Sequence, residues 1–168
     1  MQSKLIISIS GLIGLVGLSN PAYAGLLSST GPVIAIFADK LFLGSATGNF
    51  DGSGTIKIQS RSKPDVTCTG QFTSSAKLGG KGNLQCSDNS TATIKFKRLS
   101  MRRGYGTGNS SRGPMSFTYG LSANESIPYL KLPHGKALKQ SGNKVELVDE
   151  MQPTPRVSSS TSVVGNTH

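Results

Sequence analysis

Apolar and polar residues alternate along most of the chain between residues 33 and 119. Residues 91–97 are a clear example, because every second side chain is apolar: Ala92, Ile94 and Phe96. A period of two is typical of β-strands, and the 3.6-residue period of an amphipathic helix is nearly missing. Gly and Pro separate these short runs, as they do in antiparallel proteins. The pattern predicts an all-β fold, a small antiparallel barrel or sandwich of about six or seven short strands.

A first hairpin is predicted around the turn at residues 51–53, whose sequence is Asp-Gly-Ser. A three-residue loop places Ile56 opposite Gly48 and Ile58 opposite Ala46, which gathers apolar and small residues on one face. A two-residue loop instead turns both isoleucines toward hydroxyl side chains. Because a one-residue slip moves every side chain to the other face, burial of the isoleucines favours the three-residue loop.

A second hairpin carries the two cysteines of the chain. Pairing Phe72 with Gly82 across the predicted strands brings Cys68 directly opposite Cys86. In an oxidising compartment an even number of cysteines favours a disulfide over free thiols. The sequence therefore predicts one Cys68–Cys86 disulfide.

The chain changes character after Gly120. Residues 124–130 are compatible with one short helical turn capped by Asn124. The last part of the chain has few apolar residues and becomes rich in Pro, Ser and Thr, so residues 141–168 are predicted to be a disordered tail. The single β-rich domain is accordingly expected to span residues 25–140.

The first 24 residues have the pattern of a secretory signal peptide. Lys4 precedes an apolar run over residues 5–18, and Ala22-Tyr23-Ala24 supplies the small residues that signal peptidase accepts before Gly25. The run is shorter than the roughly 20 residues that span a bilayer. Cleavage would leave a mature chain without a transmembrane segment, located in the periplasm or secreted from a bacterial-type cell.

The chain is strongly basic, with 18 Lys and Arg against 8 Asp and Glu. Basic residues are concentrated between residues 57 and 112. Such a surface attracts anionic partners, and it also keeps an exported protein soluble. Arginine suits the recognition of phosphate or carboxylate, and a nearby aromatic ring allows stacking. The candidate anion-binding residues are Lys95, Lys97, Arg98, Arg102, Arg103, Tyr105 and Arg112.

Residues for catalysis or for metal binding are sparse. His134 and His168 are far apart in the chain and lack zinc-ligand spacing with the cysteines. No Gly-x-Ser-x-Gly motif surrounds a serine. The glycines of residues 104–108 are followed by no helix and no Gly-Lys-Ser, so a bulge or bend in a barrel strand is favoured over a phosphate-binding loop. The sequence predicts a non-enzymatic protein without a cofactor or a metal.

Several short motifs resemble small exported bacterial β-rich proteins of uncharacterised function. They are Cys86-Ser87-Asp88, Gly104-Tyr105-Gly106, Phe117-Thr118-Tyr119-Gly120 and Tyr129-Leu130-Lys131-Leu132-Pro133. The similarity covers residues 45 to 138. It implies export and a β-rich fold, and it implies no ligand and no catalytic residue.

Three functions remain open on the sequence. The first is a binding domain whose basic face contacts an anionic envelope component, with a glycan, a lipid headgroup or an envelope protein as the partner. The second is a structural or protein-interaction module that uses a strand edge or an apolar barrel mouth. The third is a divergent hydrolase that uses His134 as its base.

Overall fold

A computed structural model describes residues 28–75 and 79–150. The predicted signal peptide and the final part of the predicted tail, residues 151–168, lie outside the described residues. Within these two ranges no helix is long and apolar enough to cross a membrane.

Eight antiparallel strands form a closed barrel, and two further strands form a separate hairpin. Each barrel strand pairs with the next one in the chain, and β8 pairs with β1 to close the sheet. The barrel strands are β1 (Ser28–Phe37), β2 (Lys40–Asn49), β3 (Ser53–Ser60), β4 (Thr67–Ser75), β5 (Gly79–Cys86), β6 (Thr91–Ser100), β7 (Arg103–Ser110) and β8 (Gly113–Tyr119). The all-β barrel is confirmed, and the prediction of six or seven strands is too low.

Strand β7 shows why the strand count was too low. Its inner positions include Gly104 and Gly106, so it has little of the apolar alternation that marks the other strands. The two glycines pair with Tyr119 and Phe117 of β8. A Cβ atom at Gly106 would lie 2.6 Å from Phe117 Cζ and 2.4 Å from the Lys95 carbonyl oxygen. The glycines of β7 therefore make room for aromatic rings of β8. The bulge in this part of the barrel lies in β6, between Arg98 and Ser100.

The hairpin of β4 and β5 has the predicted register. Phe72 pairs with Gly82, Cys68 pairs with Cys86, and the two cysteines form a disulfide. Both cysteines are buried within the barrel. The disulfide therefore joins two adjacent strands on the inner face of the barrel.

In the hairpin of β2 and β3, Ile56 and Ile58 face the barrel interior as predicted, but their cross-strand partners differ from the prediction. Ile56 lies opposite Ala46 and Ile58 opposite Gly44, two residues away from the predicted pairing. The turn is longer because Asp51 Oδ1 accepts hydrogen bonds from both the backbone nitrogen and the hydroxyl of Ser53. A shift of two residues preserves the inward direction of the isoleucines.

The chain after β8 packs against the outside of the barrel. It forms α1 (Ala123–Ser126), a 3₁₀ turn (Ile127–Tyr129), and a hairpin of β9 (Lys136–Ser141) and β10 (Lys144–Asp149). A second apolar cluster joins this segment to the outer faces of β1 and β2; its buried members are Ile34, Ile36, Leu41, Ala123, Leu130 and Leu138. Folded structure thus continues past residue 140, where a disordered tail was expected, because Val145 and Leu147 of β10 pack against this cluster.

The cap of α1 is Ser122 rather than the expected Asn124. The Ser122 hydroxyl accepts a hydrogen bond from the backbone nitrogen of Glu125, and the Glu125 carboxylate accepts one from the backbone nitrogen of Ser122. This reciprocal pair is a capping box. Glu125 also forms an ion pair with Arg103.

The capping box predicts an acid-sensitive contact between α1 and the barrel. Hydrogen bonds from the Ser122 backbone and hydroxyl, together with Arg103, lower the pKa of Glu125 from 4.5 to about 2. The lowered pKa means that the stabilisation by Glu125 is complete above pH 4.5 and is lost as the pH falls through about 2. We expect the Ser122 amide resonance to titrate with a midpoint near 2. In the Ser122→Ala variant the Glu125 midpoint should rise toward 4.5; a midpoint near 4.5 in the unmodified protein would be inconsistent with the cap.

Candidate functional site

The two ends of the barrel differ in how they are filled. At one end the buried side chains of Phe37, Phe42, Val66 and Met115 pack around the disulfide and close the interior. The opposite end carries the start of β1 and the loops that join β2 to β3 and β6 to β7. Here the barrel interior opens to solvent through a cavity of about 410 Å³.

The wall of this cavity is mainly apolar. Val33, Ile56, Ile94 and Phe117 line it and are all buried. Higher up, three rings meet edge to face, with centroids 5.5 Å apart for Phe72 and Phe96 and 5.7 Å apart for Phe96 and Tyr119. These three rings form the neck of the cavity. The buried side chains of Val33, Ile56, Ile94 and Phe117 form its floor.

Small residues keep the cavity open. Gly31, Ala46 and Gly48 lie on its wall, where larger residues would extend into the interior. A Cβ atom at Gly48 would meet nothing closer than Phe72 Cζ, at 3.8 Å. A side chain at position 48 would therefore begin in ordinary van der Waals contact with Phe72, without a clash.

One cation, Arg98, lines the cavity from the inner face of β6. Arg98 continues the inward series of Ala92, Ile94 and Phe96, and it is half-buried. Its guanidinium donates a 2.6 Å hydrogen bond to Ser74 Oγ. No salt bridge of the described residues includes Arg98. The entrance therefore holds a guanidinium that has no carboxylate partner in the described part of the chain.

Tyr119 lies beside this guanidinium. Burial raises the pKa of the Tyr119 hydroxyl, and the charge of Arg98 and its hydrogen bond to that hydroxyl partly oppose the rise. The phenol consequently stays protonated at neutral pH and can donate a hydrogen bond. Arg98 and Tyr119 thus place polar hydrogen-bond donors at the top of an otherwise apolar cavity.

The rim of the open end is unusually apolar for an exposed surface. Phe50 is 81% exposed and Met101 is 76% exposed, and both line the cavity entrance. Leu99 is also exposed and lies next to the loop between β6 and β7. Exposed apolar side chains grouped around a cavity are typical of a binding site.

The structure distributes the predicted anion-binding residues over five places. Lys95, Lys97 and Tyr105 point outward from β6 and β7, whereas Arg98 points inward. Arg102 lies at the cavity rim. The other two are already paired, Arg103 with Glu125 at the surface and Arg112 with Asp88, 2.7 Å apart, at the closed end of the barrel.

No match was found when the chain was compared with protein-family models, with curated proteins and with solved structures. Function is therefore inferred from the geometry of the barrel. His134 is exposed in a turn before β9 and does not line the cavity. Residues 28–75 and 79–150 contain no group of three or more His, Cys, Asp or Glu side chains that could hold a metal ion.

Proposed function

We propose that this protein is an exported, non-enzymatic binding barrel that holds the apolar chain of an anionic amphiphile. The chain would occupy the cavity and the anionic head would meet Arg98 and Tyr119. The observation that carries the proposal is the inward Arg98 guanidinium, which has no carboxylate partner among the described residues and lies at the neck of an apolar cavity.

The shape of the barrel supports an apolar chain as the ligand. Eight-stranded barrels have interiors that are either filled by side chains or wide enough for one small ligand. This barrel is filled at the disulfide end, and its cavity of about 410 Å³ at the other end is within the range of small-molecule sites. Each methylene group that leaves water contributes about 0.8 kcal/mol. An unbranched chain can use the narrow neck between Phe72, Phe96 and Tyr119.

The charge of the entrance supports an anionic head. A half-buried guanidinium loses part of its hydration, and a carboxylate or phosphate restores it through charge-assisted hydrogen bonds. Arg102 at the rim adds a second positive charge to the lining of the same cavity. A neutral or cationic head would leave Arg98 without this compensation.

The composition of the cavity supports binding rather than catalysis. The described residues that line it include no His, Cys, Asp or Glu. General acid–base or nucleophilic chemistry commonly uses such groups close to the substrate. The disulfide supports the exported location, because structural disulfides persist in oxidising compartments such as the periplasm.

Filling the cavity should abolish ligand binding. In the Gly48→Leu variant the new side chain enters the cavity next to Phe72, and its Cβ has no backbone atom within 4 Å. We expect the affinity for dodecanoate, measured by calorimetry, to fall at least tenfold, because the chain and the leucine compete for one volume. Wild-type protein should bind dodecanoate and should not bind dodecyltrimethylammonium, which has the same chain length and the opposite charge.

Ser45→Leu is the matched control for this variant. Ser45 is exposed on the outer face of the same strand, so the same side chain is added without entering the cavity. The control should bind dodecanoate as the wild type does. Equal affinity of Gly48→Leu and wild-type protein would refute binding within the barrel.

A protein partner that docks on the open end is the competing function. The exposed Phe50 and Met101 favour it, because apolar side chains at a surface are frequent in protein interfaces. Such docking requires the rim and not the interior. Substitution of Phe50 and Met101 by Ser would then abolish partner capture, while Gly48→Leu would leave it intact.

A further inference from the structure

A second site lies on the outside of the barrel, separate from the cavity. We propose that the outer surface of β5, β6 and β7 binds an anionic polysaccharide through Lys81, Lys95, Lys97 and Tyr105. These side chains border a shallow depression of about 710 Å³. Lys81 was not among the anion-binding residues predicted from the sequence.

The pairing of β5 with β6 places two lysines directly opposite each other. Lys81 is the cross-strand partner of Lys95, and both are exposed. Like charges at directly opposed positions destabilise a sheet. Lys97 projects from the same face as Lys95, about 7 Å further along the strand. Three positive charges therefore lie together at a cost to the folded state.

No acidic residue of the described chain forms a salt bridge with these lysines. Across the neighbouring strands Lys81 faces Thr73, Lys95 faces Thr107, and Lys97 faces Tyr105. The salt bridges of the described residues use other cations: Arg103, Arg112, Lys136 and Lys144. A bound anion would relieve the repulsion between the lysines, so the depression is complementary to negative charge.

An aromatic wall gives the depression a shape that a charged patch alone lacks. The ring of Tyr105 stacks on the ring of Tyr129 from the 3₁₀ turn, with centroids 4.3 Å apart and an angle of 23° between the planes. Tyr129 thereby holds the Tyr105 ring in place beside Lys97. A fixed ring next to several cations can contact the apolar face of a sugar while the lysines bind its acidic groups.

A polysaccharide fits this surface better than a lipid bilayer does. The exposed aliphatic residues Leu99 and Met101 do not line the depression. Lysine, threonine, serine, tyrosine and phenylalanine side chains line the depression, with Gly79, Gly80 and Gly106 among them. Contact with a bilayer depends in part on buried apolar area. An extended chain with repeated carboxylate, sulfate or phosphate groups needs the charges and the ring that are present here.

The test is calorimetric titration of the full-length mature protein with a heparin hexasaccharide at low and at high salt. We expect Lys81→Gln/Lys95→Gln to reduce the affinity at least tenfold, and wild-type binding to weaken as salt rises. Lys81→Gln alone and Lys95→Gln alone should each raise the melting temperature at low salt by up to about 4 °C, because each removes the repulsion between the two opposed lysines. Tyr105→Ser should also weaken binding, although it leaves the net charge unchanged.

Lys57→Gln is the control for the loss of one positive charge elsewhere on the outer surface of the barrel. Lys57 is an exposed lysine on the outer face of β3, where Ser45 and Thr69 are its cross-strand neighbours. It should change the affinity less than twofold. An equal loss with Lys57→Gln, or full binding by Lys81→Gln/Lys95→Gln, would overturn the proposal. Preferential binding to phosphatidylglycerol vesicles, lost in the double variant, would overturn it in favour of a membrane surface. Since these lysines lie outside the barrel, Gly48→Leu should retain hexasaccharide binding.

Discussion

Arg98→Gln is expected to weaken dodecanoate binding by about 10- to 100-fold. The guanidinium is half-buried beside Ser74 and Tyr119, where a carboxylate can approach it with little competing water. Hydrogen bonds to charged groups contribute about 1.5–3 kcal/mol, which corresponds to this range of affinities. Glutamine retains an amide that can donate to Ser74, so the strand should keep its position. Calorimetry with dodecanoate and with dodecanol separates the contribution of the head from that of the chain.

The affinity for dodecanol should change little in this variant, because the apolar wall remains. Arg103→Gln is the matched control, since it removes an arginine of the neighbouring strand that is already paired with Glu125. The control should bind dodecanoate within about twofold of the wild type, as expected for a screened surface charge. If Arg98→Gln and Arg103→Gln weakened binding equally, the effect would come from net charge and not from a positioned head group.

Reduction of the disulfide is expected to have the largest effect on stability. Cys68 and Cys86 are 18 residues apart in the chain, and a cross-link of this length stabilises a fold by about 3 kcal/mol in the chain-entropy model. Both cysteines are buried among the side chains that close one end of the barrel. We expect the melting temperature to fall by roughly 10 °C under a phosphine reductant.

The Cys68→Ala/Cys86→Ala variant provides the control for this measurement. Its melting temperature should be lower than that of the oxidised protein and should not respond to the reductant. Two thiols that react with an alkylating agent in the native, unreduced protein would show that the strands are not joined. An unchanged melting temperature after confirmed reduction would show that the cross-link does not stabilise the barrel.

Local patterns in the sequence were enough to predict the disulfide hairpin. The alternation of β4 and β5 leaves one register that turns Phe72 inward and places the two cysteines opposite each other. The same reasoning predicted the inward face of β3 but not its partners, because the Asp51 turn adds residues to the loop. Hydrogen bonds inside a turn change a register by two residues without any change in the polarity pattern.

The binding site was harder to predict because it depends on contacts between distant parts of the chain. The cavity exists only because β8 returns to β1, so that Gly31 of β1 and Phe117 of β8 both line it. Arg98 could have been identified, since it follows Phe96 by two residues and must share its face. Arg98 was predicted only as one of seven candidate anion-binding residues, with no face assigned to it. The pairing of Lys81 with Lys95 requires the register of β5 and β6, which neither strand encodes alone.

A structure of the protein with dodecanoate tests the binding barrel most directly. The acyl chain should lie between Ile56, Ile94 and Phe117, and the carboxylate should lie within hydrogen-bond distance of the Arg98 guanidinium. An empty cavity at saturating dodecanoate, or a carboxylate bound on the outer surface, would contradict the proposed function.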